Sequence, residues 1–274
     1  MIETIGTVFR NDEITPGYKK LTLRFVEGIS IRAGQFAMLR PRNAYEPLLR
    51  RALAVYRADD SRRLSFLYQI LGRGTAALAC LKPGDQVEAL LPLGNPWPVD
   101  VAGSSELAVV VAGGVGSASV LMLCEELIDA GVQTEVFFGA ASENAAIGCG
   151  LDDFRAMQLP LIITTVDGSL GERGLVTTPF SRRLAAIDGS RSRVYSCGPW
   201  AMMKAVAEIA NEHGAGCLVS LEAPMGCGFG VCVGCVVAVE RKEAGEYGAY
   251  KRVCVDGPVF AADEIRWDVV GMNH

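Results

Sequence analysis

Four cysteines, Cys227, Cys232, Cys235 and Cys254, stand in the order C-x4-C-x2-C with a fourth further on, inside a glycine-rich stretch. That spacing is the ligand pattern of a plant-type [2Fe-2S] centre. The first three lie in Pro224-Met225-Gly226-Cys227-Gly228-Phe229-Gly230-Val231-Cys232-Val233-Gly234-Cys235. Such a loop lets the backbone fold around an inorganic core and aim N–H groups at its sulfurs, and it holds too much glycine for a packed strand. A zinc site, disulfides, or chance among nine cysteines are the other readings. Zinc ordinarily uses two short Cys pairs rather than one x4 and one x2 gap feeding a glycine loop.

Half of the 274 residues are apolar, so a sizeable core and more than one domain are available. The formal charge of −5, with both signs mixed along the chain, offers no basic stripe and argues against nucleic acid. The segment Met1-Ile2-Glu3-Thr4-Ile5-Gly6-Thr7 has neither a basic start nor an apolar h-region, so a cytoplasmic location is expected. The cysteines are then read as thiols or metal ligands. Leu107 to Cys124 carries no charge over 18 residues, the lower edge of membrane-spanning length. Glycines and serines interrupt it, so it reads as buried strand, tight turn and helix, and no membrane insertion is expected.

Residues 1–100 alternate apolar and polar positions in runs such as Thr7-Val8-Phe9-Arg10, Lys20-Leu21-Thr22-Leu23-Arg24-Phe25 and Arg63-Leu64-Ser65-Phe66-Leu67-Tyr68. Pro16-Gly17, Gly34 and Pro83-Gly84 supply turns between them, which predicts an antiparallel β barrel or sandwich. Gly94-Asn95-Pro96-Trp97-Pro98 breaks the pattern and marks a border. From 101 to 222 strands alternate with helices, the mark of a parallel-sheet α/β domain. Strands are expected at Leu107–Ala112, Thr134–Phe138, Leu161–Val166, Arg193–Ser196 and Cys217–Leu221, with helices after Gly116, Leu151, Gly174 and Pro199. The cysteine lobe, 223–274, should hold a hairpin between Val236–Val239 and Lys251–Val255.

Gly113-Gly114-Val115-Gly116 closes the first strand of the parallel sheet and opens a helix. Its free N–H groups and the helix dipole can hold a nucleotide's phosphates or ribose, or the glycines can simply make a tight turn. The run is not the G-x-G-x-x-G fingerprint. Ser196-Cys197-Gly198-Pro199 puts a second polar turn at the same carboxyl edge, and the two together point to nucleotide binding. Cys197 reads equally well as a small buried apolar residue. Asp167, in Val166-Asp167-Gly168-Ser169, ends a third strand, where it could bond a ribose hydroxyl or make a plain turn. His213, late in a helix, and His274 are poor candidates for a general base, so no catalytic side chain is expected. Hydride transfer between a nicotinamide and a flavin needs none, because the cofactors carry that chemistry.

A [2Fe-2S] centre exchanges one electron and a nicotinamide two, so a chain holding both needs a mediator, ordinarily a flavin. Leu49-Arg50-Arg51-Ala52-Leu53-Ala54-Val55-Tyr56 sets a fixed cation in a strand-like run, suited to a pyrophosphate. Gly72-Arg73-Gly74-Thr75 leads into a short helix whose N–H groups could bind the same phosphates. A surface arginine pair and an ordinary capped helix account for these two runs equally well.

The combined pattern resembles the electron-transfer subunits of NAD-linked (type 1B) bacterial dihydroorotate dehydrogenases, within the ferredoxin-reductase-like iron–sulfur flavoproteins. Its most specific parts are Met225 to Cys235 and Arg252-Val253-Cys254-Val255-Asp256-Gly257-Pro258-Val259-Phe260, joined by Tyr68-Gln69-Ile70-Leu71-Gly72-Arg73-Gly74-Thr75 and Leu91-Pro92-Leu93-Gly94-Asn95. The resemblance implies a FAD-binding β barrel at 1–100, a NAD-binding α/β domain at 101–222 and a [2Fe-2S] lobe at 223–274. It further implies that electrons from dihydroorotate leave an FMN in a separate catalytic subunit, cross the cluster to FAD and reduce NAD. The assembly implied is a cytoplasmic heterotetramer, two of each chain, serving pyrimidine biosynthesis.

Carried over by position, Arg51 faces the FAD pyrophosphate, Ala52, Leu53 and Ala54 form the flavin strand, and Tyr68, Gln69 and Ile70 line the flavin. Gly74 and Thr75 meet its phosphate side. Gly113, Gly114 and Gly116 border the nicotinamide nucleotide and Cys197 lies near the nicotinamide ring; Gly198, Pro199 and Asp167 join this candidate site from the reading of their own turns, not from the resemblance. The four cysteines are the cluster ligands. One departure stands out: the family's flavin strand reads Arg-Pro-x-Ser or Arg-x-x-Thr, whereas this one is Arg51-Ala52-Leu53-Ala54 and lacks the hydroxyl expected near the flavin N5. A main-chain N–H could replace it. Phe138-Gly139-Ala140-Ala141-Ser142 offers no arginine to meet a 2′-phosphate, which favours NAD over NADP.

Two rivals remain at this point. One is a related subunit coupling NAD(P)H to ferredoxin or sulfide through a different partner; four cysteine ligands favour the first reading, because some such relatives replace one ligand by Asp. The other is a zinc-bearing binding module on an inactive reductase fold.

Overall fold

The computed structural model describes residues 1–42, 46–99, 107–240 and 249–269. The expected border at 100/101 and His274 lie outside the described residues. The first region forms β1 (Ile2–Thr15), β2 (Tyr18–Arg24), β3 (Phe36–Pro41), β4 (Arg51–Ala54), β5 (Arg57–Asp60), β6 (Arg63–Gln69) and β7 (Gln86–Leu93), with helix α1 (Arg73–Ala79) between the last two. These strands pair in the order β4-β3-β7-β1-β2-β6-β5, every pair antiparallel. The chain runs directly from one edge strand, β4, to the other, β5, and the Tyr56 N–H donates to the Ser65 carbonyl of β6 at 2.8 Å. The sheet therefore curls into a barrel.

Alternation decides the inner face: Leu21, Leu23, Leu39, Phe66 and Leu91 share one interior core. The outer face of β3 and β7 is apolar as well. Phe36, Met38, Leu90 and Leu93 belong to a second core shared with the cysteine lobe, which is why these two strands are buried on both sides.

The second region supplies β8 (Leu107–Gly113), α2 (Ser117–Asp129), β9 (Thr134–Ala140), α3 (Glu143–Gly148), α4 (Leu151–Ala156), β10 (Leu161–Thr165), β11 (Glu172–Arg173), α5 (Thr177–Leu184), β12 (Ser192–Cys197), α6 (Trp200–Glu212) and β13 (Gly216–Ser220). The uncharged run from Leu107 is thus strand, 3₁₀ turn and helix, and no helix among the described residues is long and apolar enough to cross a membrane. Both faces of β8 are covered: Ala108, Val110 and Ala112 pack towards α2 and the barrel, Val109 and Val111 towards α5 and α6.

The cysteine lobe contributes β14 (Val236–Ala238), β15 (Tyr250–Arg252) and β16 (Val259–Ala261). The β14–β15 hairpin is shorter than expected: residues 253–256 leave the ladder as a turn, which brings Cys254 to Cys235. The strand β16, which the sequence reading did not anticipate, joins β13 antiparallel and completes the order β11-β10-β9-β8-β12-β13-β16.

Barrel and parallel sheet are fastened to each other by a polar network and an aromatic plug. Tyr56 donates to Asp153 at 2.6 Å, Arg57 reaches Asp153 at 3.1 Å and Glu125 at 2.7 Å, and Lys20 lies 3.6 Å from Asp153. Fully buried Trp97 donates to the Ser119 carbonyl at 2.8 Å and meets Tyr195 edge to face.

Candidate functional site

The loop from Gly226 to Cys235 turns through positive φ at Gly228, Gly230 and Val233, so it wraps around a centre instead of pairing. The Cys232 N–H points at the Cys227 sulfur (3.5 Å) and the Cys254 N–H at the Cys235 sulfur (3.4 Å). Burial opposes ionisation of Cys227, but the N–H groups of Cys232, Phe229 and Val231 overcome it and bring that thiol down to about 6. Burial and then the adjoining Cys235 push Cys254 up to about 12.

The thiols fall into two contacting pairs, Cys227 with Cys232 and Cys235 with Cys254. Among the described residues no three His, Cys, Asp or Glu side chains surround one ion position. Two pairs suit a two-iron centre, in which each iron takes two thiolates, better than a single tetrahedral zinc. The pairs also differ in depth: Cys232 is exposed, whereas Cys235 and Cys254 are each 2% exposed within the core shared with the barrel.

The carboxyl ends of β8 and β12 lie side by side, with Ala112 opposite Cys197, at the point where strand order reverses. Open α/β sheets bind ligands at that point. The two glycine turns expected there press on each other. A Cβ on Gly116 would lie 2.6 Å from the backbone of Cys197 and Gly198, and one on Gly198 would lie 2.9 Å from Gly113. Pro199 packs against Gly113 from the second turn. Gly114, at φ +55, has open space around it.

The Cys197 thiol is 1% exposed, bonded by the Ser119 and Ser220 hydroxyls, and pushed up by burial and then by the Glu222 charge. It is a neutral group in this setting. Ser119, Ser220 and Glu222 escaped the sequence reading, although the serines inside the uncharged Leu107–Cys124 run were a usable signal. Asp167 follows β10, two strands from this pair of turns on the same edge. One of its oxygens already accepts from the Ser169 N–H (2.9 Å) and hydroxyl (2.6 Å), which hold it below the usual carboxylate range.

On the barrel, the Arg51 guanidinium lies across Gly74 at the start of α1 and donates to the Leu49 carbonyl at 2.9 Å. Thr75 spends its hydroxyl on the turn itself, accepting from the N–H groups of Leu71 (3.0 Å) and Gly72 (3.2 Å). Arg51 and α1 therefore form one cationic and N–H-rich corner, suited to a pyrophosphate. Ala52 and Ala54 are half-buried on edge strand β4, while Leu53 packs on the barrel interior. The Tyr68 ring is in that interior, 1% exposed, with its hydroxyl unpartnered, so only its backbone reaches the barrel rim; Gln69 and Ile70 are half-buried.

Three comparisons bear on this arrangement. Residues 222–266 match the model of the iron-sulfur cluster binding domain of dihydroorotate dehydrogenase B. The dihydroorotate dehydrogenase B (NAD(+)) electron transfer subunit of Geobacillus sp. (strain WCH70) is 34% identical over 262 residues, spanning 94% of this chain and 96% of that protein. That of Geobacillus thermodenitrificans (strain NG80-2) is 37% identical over 233 residues, 85% of this chain and 86% of the other. Among solved structures, an NADH-dependent reduced ferredoxin-NADP oxidoreductase studied for flavin-based electron bifurcation superposes with a TM-score of 0.80 at 28% identity, covering 96% of this chain and 90% of that one. The barrel, the parallel sheet and the cysteine lobe thus recur together in one set of relatives, and the chain belongs to the family of dihydroorotate dehydrogenase B electron transfer subunits.

Proposed function

We propose that this chain is the electron-carrying subunit of a dihydroorotate dehydrogenase, taking electrons from an FMN-containing catalytic subunit and delivering them to NAD+ in pyrimidine biosynthesis. When bound, a [2Fe-2S] centre supplies single-electron transfer and FAD supplies exchange between single electrons and hydride. Cys227, Cys232, Cys235 and Cys254 hold the cluster. Arg51 and the Gly74–Thr75 turn hold the FAD pyrophosphate, while Ala52, Leu53, Ala54 and the backbone of Tyr68, Gln69 and Ile70 border the flavin. Gly113, Gly114, Gly116, Gly198 and Pro199 seat the nicotinamide nucleotide beside Cys197, and Asp167 accepts from its ribose. Residues 1–100, 101–222 and 223–274 divide these tasks. The assembly is a cytoplasmic heterotetramer with two copies of each subunit.

The observation that carries this reading is the position of the thiol pairs. One faces solvent beside exposed Phe229, Val231, Val233 and Val255, an apolar rim suited to a partner; the other is buried against the barrel. A second reading, transfer between NAD(P)H and ferredoxin through a different partner, draws on the superposition with the ferredoxin-NADP oxidoreductase. Anaerobically purified chain should hold about two irons and about one FAD. Mixed with a dihydroorotate-oxidising subunit, it should make NADH from dihydroorotate. Zinc in place of iron overturns both readings, and NADH formation that requires ferredoxin and ignores dihydroorotate overturns the first.

A further inference from the structure

Two loops of the cysteine lobe are tied to the barrel by independent contacts. Asn95, just beyond β7, donates from its side-chain amide to the carbonyls of Val255 (3.2 Å) and Asp256 (3.0 Å), and its backbone N–H donates to the Gly257 carbonyl at 2.7 Å. One barrel residue thus holds three successive carbonyls of the turn that leaves Cys254. Both amide hydrogens are used, and the N–H groups of an asparagine side chain are its only donors. The second contact is made to the loop that carries Cys227. Gly228, directly after Cys227, is buried at φ +83, and a Cβ there would collide with the Met38 side chain, with Sδ 2.9 Å away.

Met38 is fully buried. It stands opposite Ala52 of β4 and Leu90 of β7, so its side chain shares their face of the sheet, the face that packs on Cys235 and Cys254. The cluster loop and the flavin strand therefore press on a single side chain.

We infer that the barrel sets the geometry of the cluster ligands, with Asn95 and Met38 as positioning residues: Asn95 fixes the Cys254 turn, and Met38 fixes the Cys227 loop and spaces it from β4. The inference rests on the reading of this chain as a [2Fe-2S] and FAD carrier. Groups that orient ligands tune a metal centre without touching it, and their loss typically lowers metal affinity about 10–100-fold. Hydrogen bonding and exposure at the sulfurs also set cluster potential.

The test uses full-length chain purified anaerobically. Asn95→Asp keeps the shape of the side chain but turns acceptor oxygens towards the Val255 and Asp256 carbonyls. It should release iron to a chelator about 10–100-fold faster than wild type. It should also shift the g-values of the reduced cluster, with FAD content unchanged. Met38→Ala removes the support under Gly228 and should do the same, whereas the volume-conserving Met38→Leu should behave as wild type. If Asn95→Asp does not fold, Met38→Ala against Met38→Leu decides the matter. Unchanged iron release and g-values in Asn95→Asp and Met38→Ala overturn the inference, as does parallel loss of FAD and iron. A wild-type chain that binds neither iron nor FAD overturns the underlying carrier reading instead.

Discussion

Gly116→Ala isolates the contact between the two glycine turns. Gly116 has φ −59 and ψ −17, which alanine adopts freely, and helix propensity alone would favour alanine by about 1 kcal/mol. The new Cβ, however, would sit 2.6 Å from the Cys197 carbonyl and the Gly198 nitrogen, all backbone with no side chain to swing aside. Carbon contacts settle near about 3.5 Å, so the turns must part by roughly 1 Å. Overpacking of this kind costs about 1–3 kcal/mol, which leaves a net loss near 1 kcal/mol and a protein that still folds. The proposed nucleotide seat predicts a larger functional effect, because a displacement of about 1 Å at a reacting site can cost about 100-fold in rate. Anaerobic stopped-flow should show reduction of bound flavin by NADH slowed about 10–100-fold, with iron and FAD contents as in wild type. Wild-type NADH kinetics in a folded Gly116→Ala protein would refute a joint nucleotide seat at these turns.

Arg51→Ala removes the guanidinium from the α1 corner and should weaken FAD binding about 10–100-fold, given about 1.5–3 kcal/mol for bonds to a charged group. Arg51→Lys should recover part of this; fluorescence titration of apoprotein with FAD measures both, and equal affinities for wild type and Arg51→Ala would contradict the assignment. Asp153→Asn tests the barrel-to-sheet network. Burial would raise Asp153, but the Tyr56 hydroxyl, Lys20 and Arg57 outweigh it and hold the carboxyl below the usual range. A depressed carboxylate stabilises the fold above its unfolded value of about 3.9 and loses that contribution as pH falls through the folded value. The variant should melt about 4–8 °C lower at neutral pH, from about 2 kcal/mol, and the gap should close as the medium becomes more acidic than about pH 4. A gap that widens in acid would contradict the sign.

Period and punctuation made the parallel sheet legible. Val109 to Val111 read as a two-sided buried strand because helices cover both faces, and the turns at Gly113 and Cys197 could be put at one edge before any coordinates. The cysteine spacing already grouped the four thiols that the structure brings together in two pairs, because their order is local apart from Cys254. What could not be read was set by partners distant in sequence. Met38 carries no local signal, since nothing in its sequence neighbourhood reveals that residue 228 packs on it. Tyr68 carries no local sign of where its ring goes, and the structure buries that ring in the core, which leaves the backbone for the proposed flavin site. Asn95 sat in a recognised motif, yet its hydrogen bonds run 160 and 161 residues along the chain. The strand β16 is three residues long, below what alternation can detect, and it exists because β13 offers an unpaired edge.

The unequal depth of the two thiol pairs gives the centre a vulnerable side. Oxidation of cysteine follows exposure, and Cys232 is exposed and Cys227 half-buried, while Cys235 and Cys254 are shielded. Attack by dioxygen or peroxide is therefore expected first at the outer sulfurs, beside exposed Phe229, Val231, Val233 and Val255. A partner docked on that rim, as proposed above, would be a chemical shield as well as an electron source, so the subunit standing alone should lose its iron to air faster than the assembly.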